Sequence, residues 1–160
     1  MKTTNIVQIK KELQHLNSDE LIELCLRLTR FKKENKSLLT YLLFEAHDEA
    51  QYIASVKESL NQEFQSINSN SYFYIKKSVR KILRQLKTYA RYSLKKETEV
   101  ELLLYFCAEL NEISPNIHQN ITLSNLYDRQ IIALEKKITT LHEDLQFDYR
   151  SQIEALKYYN

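Results

Sequence analysis

Lys77, Arg80, Arg84, Lys87, Arg91 and Lys95 recur at spacings of three and four residues, which on a helix gathers their charges into one row. A row of this kind holds phosphates or carboxylates through charge-assisted hydrogen bonds and makes no covalent bond. The stretch around it, Ser71 to Lys96, reads SYFYIKKSVRKILRQLKTYARYSLKK and carries nine of the chain's twenty-three basic residues and no acid. Both flanks are acidic: residues 1–70 hold nine basic and ten acidic side chains, and residues 97–160 hold five and eleven. The formal net charge of +2 therefore hides a strongly basic segment, and such a segment attracts polyanions whatever the total charge. On a helical wheel Ile75, Val79, Ile82, Leu86 and Ala90 form an apolar stripe, widened by Leu83 and Tyr89. The six bases lie within about 40° of one direction on the side facing away from that stripe. Lys76 and Lys81 flank the row, and Phe73, Tyr74 and Tyr92 stand beside it, where aromatic rings can stack on unpaired bases. The competing expectation is a solvated face neutralised by acids of the same chain, Glu97, Glu99 and Glu101 being the nearest candidates.

Other chemistry finds less support in the spacing. Histidines occur at 15, 47, 118 and 142, two of them in AHDEA and LHEDL. Adjacent helical residues point about 100° apart, so His47 with Asp48 cannot form the compact ligand pair that i,i+4 residues make. A di-iron bundle needs two Glu-x-x-His elements and two further Glu, whereas Glu12 to His15 is the one such element in the chain. Glu45 and Glu49 make a single acidic edge. Cys25 and Cys107 lie in LIELCLRL and LLLYFCAEL, where Leu-rich surroundings raise a thiol pKa. They are expected to be two free, buried thiols of a protein from a reducing compartment. No catalytic residue, metal or cofactor is expected.

Glycine is absent, an outcome with probability on the order of 10⁻⁵ at average usage. Phosphate-cradling loops and the serine-hydrolase elbow need glycine for positive φ or close backbone approach, so those enzyme classes are excluded. Pro115 is the single proline, and the rest is rich in Leu, Lys, Glu and Gln, good helix formers. The reading is all-α, a compact bundle of about seven or eight helices in one domain spanning 1–160, with an open stack of helical hairpins as the alternative. Asn35, Asn61, Asn68, Asn70, Asn111, Asn116 and Asn120 fall where periodicity falters and are expected to take the left-handed conformation that glycine usually supplies.

The elements follow from periodicity. Ile6, Ile9, Leu13 and Leu16 mark a first helix, and Asn17 with Glu20 forms a capping box for a second carrying Leu21, Leu24, Cys25, Leu28 and Phe31. FKKENK reads as a connection, SLLTYLLFEA as a third helix, and a fourth runs from about Asp48 to Phe64. The basic helix occupies 72–95 and a strongly apolar helix 97–112. ISPNIHQN connects to a long helix capped by Ser124, whose seam Tyr127, Ile131, Leu134, Ile138, Leu141 and Leu145 is coiled-coil-like. A last short helix carries Ile153 and Leu156. The segment NSDELIELCLRLTRFKKENKSLLTYLLFE resembles the opening of small bacterial all-helical proteins; the resemblance covers about 30 residues and implies no activity. No apolar run approaches a membrane span, and the amino terminus lacks a signal-peptide core, so a cytoplasmic protein away from membranes is expected. The functional expectation is a non-enzymatic interaction or scaffold module with the basic helix 72–95 as its binding surface, the partner being an acidic protein or a nucleic acid. The alternatives are nucleic-acid binding through the same helix, and a structural oligomer assembled on the 127–145 seam.

Overall fold

Leucine-rich helical periodicity and a composition of good helix formers favour helix as the way to satisfy the backbone's polar groups, and the described residues of the computed structural model form eight α-helices. Residues 2–157 are described, and no strand occurs among them. The chain divides into two compact units, one up to Phe44 and one from Glu45 onward.

In the first unit, α1 (Ile6–Leu13) is capped by Asn5, whose side chain accepts from the Gln8 amide. The capping box of α2 (Ser18–Phe31) forms as its sequence foretells: the Asn17 side chain accepts from the Glu20 amide and the Glu20 carboxylate from the Asn17 amide, each at 2.9 Å. FKKENK does not form a connection. Lys32 alone is extended, and α3 (Lys33–Thr40) begins at once and packs on α2, with Asn35 Nδ2 donating to the Leu28 carbonyl at 2.9 Å. A π-helical turn, Tyr41–Glu45, ends the element that the sequence presented as one continuous third helix. None of α1, α2 and α3 contains a buried residue.

The second unit owns the large core. Its centre is α6 (Lys96–Asn111), with Val100, Leu102, Leu103, Leu104, Phe106, Cys107 and Leu110 buried on almost every side, as expected of a helix enclosed by others. Around it pack α4 (Glu49–Gln65), α5 (Tyr72–Ser93), α7 (Ile121–Ile138) and α8 (Glu143–Lys157). Asp48 caps α4 through the Gln51 amide. Asn120, not Ser124, caps α7, its side chain accepting from the Leu123 amide. A 3₁₀ turn, Ile117–Gln119, occupies the connection after Pro115.

The 127–145 seam is not one helix. Thr139 and Thr140 turn their hydroxyls back onto the carbonyls of Lys136 and Lys137, helix ends there, and Leu145 belongs to α8. Tyr127, Ile131, Leu134, Ile138 and Leu141 are all buried within this protomer. Asparagine also plays a different part from the one expected. Leu94, with φ 59°, is the residue found at positive φ among those described, whereas Asn5, Asn17, Asn116 and Asn120 act through side-chain oxygens at helix N-termini.

Candidate polyanion-binding face

The apolar stripe of α5 fixes the direction of its charges. Ile75, Val79, Ile82, Leu86 and Ala90 are buried, as the wheel requires, and α5 packs against both α4 and α6. Lys77, Arg80, Arg84, Lys87 and Arg91 are consequently exposed along the opposite side. From Lys77 to Arg91 the row is about 21 Å long at 1.5 Å per residue.

Lys95 leaves the row. The helix ends at Ser93, Leu94 adopts the left-handed cap and Lys95 becomes the residue preceding α6, so the expected span of 72–95 shortens to 72–93. Lys95 Nζ instead lies 3.1 Å from Glu49 Oε2. Glu49 anchors the α5–α6 turn: its other oxygen accepts from Ser93 Oγ and, at 2.6 Å, from Thr98 Oγ1, while its side chain is only 16% exposed. This clamp joins residues more than forty positions apart, beyond the reach of helical periodicity.

The acids that could have neutralised the row are engaged elsewhere or leave it uncovered. Glu99 pairs with Lys137 at 2.8 Å and Glu101 with Lys57 at 3.2 Å. Lys81, on the border, pairs with Glu63 at 2.7 Å. Among the described residues, no carboxylate comes within ion-pair distance of Lys77, Arg80, Arg84, Lys87 or Arg91. Arg91 Nη2 contacts Thr88 Oγ1 at 3.4 Å, an interaction that leaves its charge uncompensated. At the amino-terminal end of the row Phe73 is 68% exposed and meets Tyr74 edge-on, with ring centroids 5.5 Å apart. Tyr92, at the other end, is half-buried and packs edge-on against Tyr89.

The remaining candidates do not converge. His15, His47 and His142 are exposed, whereas His118 is half-buried, its Nε2 3.2 Å from Asn111 Oδ1 and its ring edge-on to Tyr127. Tyr127 in turn donates to the Leu156 carbonyl at 2.9 Å, so this polar group ties α6, α7 and α8 together. No three His, Cys, Asp or Glu side chains among the described residues come together as a metal group. Burial pushes the Cys107 thiol up to about 12, which keeps it protonated and unreactive near neutral pH. Cys25, expected in a core, is exposed, because α2 has no core to enter. A surface groove of about 590 Å³ lies among α4, α6 and α8, with Tyr105, Tyr149 and the Lys57–Glu101 pair on its walls. Burial, the charge and hydrogen bond of Glu109, and the charge of Glu58 push the Tyr105 hydroxyl up to about 12. No described helix is long and apolar enough to cross a membrane. No protein-family model, curated protein or solved structure matches the chain.

Proposed function

We propose that the protein is a non-catalytic binding module that engages an extended polyanion along α5, the phosphate backbone of a nucleic acid being the ligand that an extended row of cations serves best. The observation that carries this reading is the set of five exposed bases Lys77, Arg80, Arg84, Lys87 and Arg91 on one helix face, none of them ion-paired among the described residues, with Glu99 and Glu101 committed to other lysines. Successive bases stand about one helical turn apart, and the row's length of about 21 Å is enough to reach several successive phosphates of a nucleic-acid backbone. Contacts of this type position a ligand without reading its sequence. Exposed Phe73 and Tyr74 supply stacking surfaces for unpaired bases, which favours single strands over duplexes.

The same row could receive an acidic protein, but its exposed aromatic side chains, Phe73 and Tyr74, stand at one end of the row and not at its centre, where protein interfaces concentrate their anchors. Assembly through Tyr127 to Leu145 is disfavoured because that seam is spent inside the protomer. The test is fluorescence polarisation with labelled single-stranded RNA and duplex DNA at about 50 mM salt, comparing the wild type with the triple variant Arg80→Glu, Arg84→Glu, Arg91→Glu. Wild-type binding that disappears in the triple variant supports the proposal. Failure of the wild type to bind either probe removes nucleic acid, and equal binding by both proteins removes α5.

A further inference from the structure

Helix α2 is apolar over far more of its circumference than one neighbour can cover. At 100° per residue its charged residues Asp19, Glu20, Glu23, Arg27 and Arg30 fall within about 100°, and the remaining arc carries Leu, Ile, Phe, Cys, Ser and Thr. Helix α3 packs against α2, and on that arc only Leu21 and Thr29 are half-buried while the rest stays exposed. On one edge Ile22 is 56% and Leu26 38% exposed. Twelve large apolar side chains between Ile6 and Phe44 are exposed in all.

The charges bordering the Ile22–Leu26 edge say what would cover it. Asp19 stands at its amino-terminal end and Arg30 at its carboxy-terminal end, both exposed and neither ion-paired within the described residues. We propose that this edge is the contact of a two-fold homodimer in which α2 crosses α2 of a second copy antiparallel. A two-fold axis near residue 24 sets Ile22 against Leu26 of the other copy and brings Arg30 within one residue of the level of the other copy's Asp19, inside the reach of its long side chain. The apolar contact and the ion pair are each made twice, as an isologous interface demands. A parallel crossing would set acid on acid and base on base, so the charge order selects the antiparallel one.

The experiment is sedimentation velocity of the full chain in reductant from about 1 to 100 µM, a range that brackets a micromolar dissociation constant. The wild type should pass from 19.1 kDa to twice that mass. Leu26→Asp, counted twice across the axis, should weaken the dimer about a hundredfold or more. Because that variant could also disturb α2 itself, charge reversal provides the decisive arm. Asp19→Arg and Arg30→Asp should each weaken the dimer about tenfold, and the double variant should restore it, which loss of helix would not allow. A wild type that stays at 19.1 kDa throughout overturns the proposal and leaves the face to an unlike partner. So does a dimer insensitive to both reversals.

Discussion

Replacing Leu94 by glycine should stabilise the second unit, an unusual expectation for an apolar residue in a chain that contains no glycine. Leu94 ends α5 with φ 59° and ψ 5°, its amide donating to the Ala90 carbonyl. For an L-residue that conformation costs about 1 to 2 kcal/mol through the approach of Cβ to the backbone. Glycine removes that cost but gives back about 0.5 to 1 kcal/mol through the added freedom of the unfolded chain. Leu94 is 84% exposed, so truncation sacrifices little burial. The balance is a gain of about 0.5 to 1 kcal/mol, or about 2 to 4 °C in Tm for a unit of this size. Thermal unfolding followed by circular dichroism at 222 nm reads it directly. Leu94→Val, a β-branched residue at positive φ, should move Tm the other way by a similar amount. A Leu94→Gly Tm equal to or below that of the wild type would refute the reasoning. It would mean that the left-handed cap is not where α5 ends.

Leu86→Ala should cost about 2.5 to 4 kcal/mol, since the side chain is fully enclosed at the middle of the α5 stripe, and urea midpoints should fall with the slope unchanged. Tyr105, raised to about 12 from 10.0 by burial and by Glu109, makes stability depend on alkaline pH. The folded state holds that proton more tightly, so the contribution is complete below about 10 and is lost as pH rises toward 12. Tyr105→Phe should flatten part of that decline in urea midpoint between pH 9 and pH 12, roughly the window set by the shift. An aromatic disulfide reagent should titrate one thiol per native chain quickly, the exposed Cys25, and reach Cys107 only after denaturation. Two fast thiols would contradict the burial of Cys107.

Much of the second unit was legible because its helices obey one period without interruption. The stripe Ile75, Val79, Ile82, Leu86, Ala90 is buried at every position, and the direction of the bases follows from it. Where that helix stops was not legible, because leucine carries no signal for a left-handed cap. The error placed Lys95 in the row when it belongs to the Glu49 clamp. The seam from Tyr127 to Leu145 misled for a different reason. Leu141 and Leu145 continue the α7 rhythm by position alone, and the sign of a new helix was chemical: Thr139 and Thr140, followed by Glu143 and Asp144 in a first turn. In the first unit the pattern gave α2 correctly, but periodicity marks a face that wants covering without naming what covers it. Cys25 was assigned to a core on that basis and is exposed. Asparagines were read for backbone tolerance when their side-chain oxygens were the useful part.

The account's central claim is that the α5 row meets phosphates one by one. Measuring the dissociation constant of the wild type for single-stranded RNA across a salt series tests it most directly. Five contacts at about 0.7 released counterions each predict a log–log slope of about −3.5 for a single strand, a loss of roughly a hundredfold between 50 and 200 mM. Arg84→Ala, which removes one contact, should bring the slope to about −2.8. A slope near zero, or one that Arg84→Ala leaves unchanged, would contradict the claim.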